Sequence, residues 1–156
     1  MQFLVRMHKV SGWLYRSRLK MPSRIVDGVI RVLFAVRIPA QASIDPTVHF
    51  SHNALAVVVT RGAQIGPRCL IGMHVLLGSR WPIAGGPILE EDVVVHAGAK
   101  IIGPVRIGRG SVIGANAVVL GDIPPFSLAV GVPAVIKKTA INVEDYRSED
   151  QAADAA

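Results

Sequence analysis

Cysteine, aromatic residues and long apolar runs are all scarce in this chain, and each shortage excludes something. Cys69 is the one cysteine of 156 residues, so no intrachain disulfide framework can form and a reducing compartment fits. Aromatics make up 5% against 51% hydrophobic residues, so the core must be aliphatic and fit a narrow space. No uncharged apolar stretch reaches the roughly 18 residues a spanning helix needs, although the mean hydropathy is +0.43. The opening "MQFLVRMHKVSGWLYRSRLK" has no apolar block of signal-peptide length and is broken by Arg6, His8 and Lys9. Together these features point to a soluble, cytoplasmic protein with one domain's worth of core.

What the chain does have is glycine (15), proline (10) and a net charge of +6. Eight of its cations, Arg6, Lys9, Arg16, Arg18, Lys20, Arg24, Arg31 and Arg37, fall in the first 37 residues. No nucleic-acid recognition module accompanies them and few aromatics are available for stacking, which argues against nucleic acid as a partner. A basic amphipathic segment suits peripheral association with the inner face of an anionic membrane; a solvated helical face is the alternative.

Aliphatic residues return every sixth position. Leu89, Val95, Ile101, Ile107, Ile113 and Val119 form one run; Val59, Ile65, Ile71 and Leu77 form a second; Ile38, Ile44, Phe50 and Ala56 form a shorter third. Small or β-branched residues stand two places before most of them, among them Ala63, Cys69, Ala99, Val105 and Ala117. The phase slips by three residues between Ala56 and Val59. A hexapeptide period is the mark of a parallel β-helix. Each six-residue unit supplies a short strand and a turn, and three units close a triangular coil. Each aliphatic residue points inward and stacks on its counterpart about 4.8 Å away in the next coil. Glycines and Asn116 serve corners that need positive φ. The span 38–138 is thus expected to be an all-β, β-helical domain of four to five coils.

Residues 1–37 are expected to form a helical segment of two short helices over Met7 to Phe34. Gly12 and the Met21-Pro22-Ser23 step divide them, and Ser23 is placed to cap the second. Ile25, Val26, Val29, Ile30, Leu33 and Phe34 share one face of that second helix, suited to cover the end of the β-helix or a neighbouring subunit. The polar tail, 139–156, is expected to be flexible.

"IGPRCLIGMHVLLG", "VVVHAGAKIIGPVRIGRGSVIGANAVVLGDIPP" and "AVGVPAVIKK" carry a resemblance. From Ile38 to Lys138 the chain resembles the hexapeptide-repeat acyltransferases with a left-handed β-helix, most closely the serine acetyltransferase-like branch. The resemblance implies an acetyl-CoA-dependent O-acetyltransferase, a homotrimer, and active sites in the grooves between adjacent subunits. It also implies a histidine as general base on an early coil, just before an aliphatic run, acting in a ternary complex without a covalent intermediate. His52, in "FSHNALAVVV", occupies that place. His49 and His74 are the alternatives, and His96 lies 22 residues beyond His74 at a comparable turn. Asp45 is the nearby acid available to orient His52. His8 reads as an exposed helix residue.

Two departures from the family pattern bear on the acceptor. Ser43 stands where the serine enzymes place an acidic residue, and Gly86 stands where they place a second histidine. Both move weight from L-serine toward a sugar hydroxyl, as in surface-polysaccharide acetylation. "GSRWPIAGGPI", Gly78 to Ile88, preserves the six-residue phase through Ile83 but reads better as a protruding loop, with Arg80 and Trp81 lining the acceptor site. By the resemblance Gly78, Ala97 and Ala115 line the pantetheine path, and Lys137 and Lys138 meet the 3′-phosphate of CoA.

Two rivals share the fold. A γ-carbonic-anhydrase-like metalloenzyme needs three imidazoles on one Zn²⁺, but the histidines at 8, 49, 52, 74 and 96 lack the pair five apart that such enzymes use, so no metal is expected. A non-catalytic β-helix scaffold would bind no acetyl-CoA.

Overall fold

A computed structural model describes residues 2–147. Two helices, α1 (Gln2–Arg16) and α2 (Lys20–Phe34), lead into a left-handed β-helix of about four turns. The first coil holds β1 (Ser43–Ile44), β2 (His49–Phe50) and β3 (Val58–Val59). The second holds β4 (Gln64–Ile65), β5 (Leu70–Ile71) and β6 (Leu76–Gly78), and the third β7 (Ile88–Leu89), β8 (Val94–Val95) and β9 (Lys100–Ile102). The fourth holds β10 (Arg106–Ile107), β11 (Val112–Ile113) and β12 (Val118–Val119). β13 (Leu128–Val130) follows, and β14 (Val135–Lys138) turns back antiparallel onto it.

The coils stack into three parallel sheets. The first side is β1-β4-β7-β10, the second β2-β5-β8-β11-β13, and the third β3-β6-β9-β12. Register puts aliphatic on aliphatic: Ile65 on Leu89 on Ile107, Ile71 on Val95 on Ile113, Leu77 on Ile101 on Val119. All of these are at most 3% exposed, and the residues two places earlier, such as Cys69, Val75, Val93 and Ala99, fill the same core. Each buried Val, Ile or Leu contributes roughly 1.5–3 kcal/mol by removal from water. The narrow prism explains the scarcity of aromatics; Phe50 is its one fully buried ring.

The corners repeat as regularly as the rungs. Between the second and third sides (the 2/3 corner), Ala56, His74, Gly98 and Asn116 all adopt positive φ. Between the first and second sides (the 1/2 corner), Arg68, Asp92, Gly110 and Phe126 do the same.

Several expectations need correction. The helices begin earlier than expected, and the division falls between the two expected breakers, at neither of them. Gly12 lies within α1 and continues the helix without a break. The break falls at Ser17–Leu19, with Arg18 at positive φ. Pro22 is tolerated in the first turn of α2, where its missing N–H has no intrahelical partner to lose. Ser23 caps nothing; its hydroxyl is buried 3.0 Å from that of Ser11. The expected apolar face of α2 is also divided: Ile30 is buried and Val26 and Phe34 partly so, but Ile25, Val29 and Leu33 are exposed.

His8 is not exposed. It is 4% accessible, with Nε2 3.1 Å from the Ala42 carbonyl, so α1 is seated on the start of the β-helix. Burial holds its pKa below the usual histidine range. Ala56 is not a rung: the inward column passes from Phe50 to Val59, nine residues on, and the slip lies in the segment between them. Within the expected flexible tail, residues 139–147 are described and dock on the prism. Ile141, Val143 and Tyr146 cover Leu70, Val94 and Val112 on the outer face of the second side. The remainder of the expected flexible tail lies outside the described residues. Among the described residues, no helix is long and apolar enough to cross a membrane.

Candidate functional site

Two interruptions break the regular coil. The first lies at the 2/3 corner of coil one, where nine residues separate Phe50 from Val59 in place of six. Residues Ser51–Ala54 fold into a 3₁₀ turn in which His52, Asn53 and Ala54 have φ of 50°, 55° and 59°. Three consecutive left-handed non-glycine residues are costly, at roughly 1–2 kcal/mol each. Such strain collects at functional sites. Leu55 N donates to the His52 carbonyl at 3.2 Å and Val57 N to that of Ala54 at 2.9 Å, so the turn is fixed by its own backbone. His74 N donates to the Leu55 carbonyl at 2.8 Å and ties it to the next coil. The result lifts His52 into solvent while Ser51 and Ala54 stay buried.

Further along the same corner stand His74, then His96, Ala97 and Gly98, then Ala115 and Asn116. The ladder from Gly98 N to the Met73 carbonyl and from Asn116 N to the Ala97 carbonyl, both 2.9 Å, aligns them. Three coil spacings, roughly 15 Å at about 4.8 Å each, separate His52 from Ala115. A Cβ on Gly98 would collide with the Asn116 carboxamide. His96 is half-buried, and burial lowers its pKa. This line of small side chains, with an exposed imidazole at one end, forms one open edge of the prism.

The second interruption joins the third side to the first. Twelve residues, not six, separate Leu77 from Leu89, and β7 pairs directly with β4. The intervening segment protrudes as expected. Ile83 is 50% exposed and Trp81 91%, and an Arg80–Ile83 bridge closes a small hairpin. Arg80 Cβ lies where a Cβ on Gly103 would be 3.2 Å away, so the loop's base leans on the next coil. Gly86 is buried, and a Cβ there would meet Thr60 Cγ2 at 2.7 Å and Ala63 N at 2.8 Å. No histidine fits in its place.

The structure thus gathers His52, His74, Ala97 and Ala115 on one corner but places other site residues elsewhere. Gly78 ends β6 on the third side, buried, with Arg80 and Trp81 just beyond it. Lys137 and Lys138 lie exposed on β14, which leaves the 2/3 corner through Gly131–Ala134. His49 lies on β2, on the second side, half-buried. Asp45 is not beside His52: it sits at the 1/2 corner, and β2 lies between them. Its Oδ1 accepts from Thr47 N at 2.8 Å and Thr47 Oγ1 at 2.6 Å. Asp45 is therefore part of a turn and does not orient that imidazole.

Sequence reasoning missed one feature. A cavity of about 760 Å³ opens between α2 and the third side, and Lys20, Arg24, Arg31, Arg37 and Arg61 line it. The spacing of Lys20, Arg24 and Arg31 on one helical face was the available signal. Among the described residues, no three His, Cys, Asp or Glu side chains gather as a metal site.

Residues 86–121 match the family model described as bacterial transferase hexapeptide (six repeats). The serine acetyltransferase of Synechococcus elongatus is 36% identical over 140 residues, covering 88% of this chain and 57% of that protein. A soybean serine acetyltransferase complexed with serine superposes with a TM-score of 0.81 at 36% identity, over 85% of this chain and 55% of that one. A serine acetyltransferase in complex with CoA gives a TM-score of 0.79 at 29% identity, over 87% and 57%. The chain spans a little over half the length of these relatives.

Proposed function

The chain belongs to the hexapeptide-repeat family with the left-handed β-helix, in its serine acetyltransferase-like branch, and from that premise we propose that it is an acetyl-CoA-dependent O-acetyltransferase. One observation carries the proposal beyond family membership: the strained insertion that presents His52 at the head of a corner lined by small residues. In this reading pantetheine runs along Ala115 and Ala97, with Lys137 and Lys138 toward the phosphate end; Gly78, at the opposite edge of the third side, joins that path only from a neighbouring copy of the chain. The thioester carbonyl lies near His52. The imidazole takes the proton of the acceptor hydroxyl as that oxygen attacks. Backbone N–H groups at the corner meet the oxyanion. Collapse of the tetrahedral intermediate forms the ester and expels the CoA thiolate, which takes the proton back from His52.

The split of the site residues supports a homotrimer. The Arg80–Trp81 loop and the His52 corner flank opposite edges of the third side of one prism. A neighbouring copy is placed to bring its loop over that corner and complete the acceptor pocket.

L-serine is the acceptor suggested by the relatives. A sugar hydroxyl is the second reading, and the packing at Gly86 favours it. That position has no room for the histidine of the serine enzymes, and Ser43 replaces their acid. Free-thiol release from acetyl-CoA, with L-serine tested against nucleotide sugars and oligosaccharides, decides between them. Turnover with either class supports the transferase. No acetyl-CoA binding at millimolar concentration leaves only a scaffold.

A further inference from the structure

We propose that the basic cleft between α2 and the third side of the prism is a phosphate-binding site. Its two walls come from different parts of the fold. Lys20, Arg24 and Arg31 project from α2, Arg37 from the link into the first coil, and Arg61 from the turn after β3. Five cations face a cavity of about 760 Å³ whose lining holds one acid, Asp27. That acid is already engaged: Ser11 Oγ donates to Oδ1 at 2.6 Å, and Ala40 N approaches Oδ2 at 3.4 Å. Arg68, Arg106, Arg109 and Arg147 on the prism are all ion-paired. None of the five cleft cations is paired with an acid among the described residues.

Gathering like charges around one concavity raises the potential inside it and concentrates anions there. Guanidinium groups from two walls suit a phosphate, which accepts two parallel N–H bonds from each. The cleft spans coils one and two and takes in Gly78 at its edge, while Lys137 and Lys138 lie past coil four, so it is distinct from the expected phosphate end of the CoA path. It does not rest on the transferase reading. The phosphate can belong to a soluble phosphorylated molecule or to a lipid headgroup. The exposed apolar row Ile25, Val29, Val32 and Leu33 runs along the same helix and makes the second source testable.

The test is calorimetric titration of the full chain with inorganic pyrophosphate at low salt. Saturable binding is expected. The double variant Arg24→Gln/Arg31→Gln should weaken it by at least about tenfold. Arg61→Gln, from the opposite wall, should weaken it in the same direction, and Lys9→Gln, an exposed cation outside the cleft, should leave it unchanged. Vesicles separate the sources. Sedimentation with phosphatidylglycerol–phosphatidylcholine vesicles, lost in Arg24→Gln/Arg31→Gln and absent with phosphatidylcholine alone, assigns a lipid headgroup. Pyrophosphate binding without sedimentation assigns a soluble ligand. No pyrophosphate binding at millimolar concentration overturns the proposal. So does binding lost only in the lysine variant, or an altered oligomeric mass of Arg24→Gln/Arg31→Gln, which would make the cleft a subunit contact.

Discussion

At the 1/2 corner Arg68, Asp92, Gly110 and Phe126 turn left-handed, and at the 2/3 corner Ala56, His74, Gly98 and Asn116 do. The backbone is the same; the side chains are not. Along the 1/2 corner Arg68 holds Asp92 at 2.6 Å and Glu91 at 3.2 Å, Arg147 reaches Asp92, and Arg109 lies 5.2 Å over the Phe126 ring. The segment that ends in Arg147 crosses the adjoining side and covers its apolar outer face. That corner is neutralised and closed. The 2/3 corner carries histidines and small residues, no ion pair among the described residues, and a strained insertion at its head. A repeating fold offers equivalent turns at every coil, and the residues placed on them decide which edge is closed and which is left open.

The largest effect is expected from separating the corners by substitution. His52→Ala should lower kcat by about 10²–10⁴-fold with an unchanged thermal midpoint, whereas Arg68→Ala should leave kcat unchanged. Steady-state kinetics and thermal unfolding of both variants check this; equal loss of turnover would erase the distinction. Ile107→Ala tests what both corners share. It opens a cavity in the column and should cost about 2–5 kcal/mol of stability, read by chemical denaturation. Ser111→Ala is milder. Its buried hydroxyl donates to the Pro124 carbonyl at 2.7 Å and accepts from Ser127 N at 3.1 Å. Leaving that amide unpaired should cost about 1–3 kcal/mol.

The smallest effect is in pH. Burial depresses the folded pKa of both His8 and His96. Below about pH 6.5, the usual histidine value, the unfolded chain therefore binds protons that the folded chain refuses. Stability should fall as the pH drops through that point. Denaturant midpoints between pH 7.5 and 5.5 should show the fall, and His8→Gln should reduce its slope.

The column was legible in the sequence because a period of six is incompatible with a lone helix or an ordinary sandwich strand. The protruding Gly78–Ile88 segment was legible through Trp81, Pro82 and two glycines. Less of the ends could be read. Gly12 and Pro22 are breakers by propensity, yet Gly12 continues α1 and Pro22 sits where a helix tolerates it. The tail's docking had a signal that went unused. Leu70, Val94, Val112 and Leu128 each stand one place before the second side's inward rungs, whereas Ser43, Gln64 and Arg106 hold the same place on the first side. Such an outward apolar stripe announces a cover. His8 reads as exposed when taken alone, but Leu4 and Ser11, on the same helical face, are buried with it. Asp45 was paired with His52 by nearness in sequence, but seven residues of a β-helix carry the chain from one corner to the next.

The most direct test is the course of CoA in a crystal structure of the complex. The account expects the sulfur beside His52, with the pantetheine arm running along Ala97 and Ala115 at the 2/3 corner. A sulfur beside Asp45 and Arg68 at the 1/2 corner would contradict it.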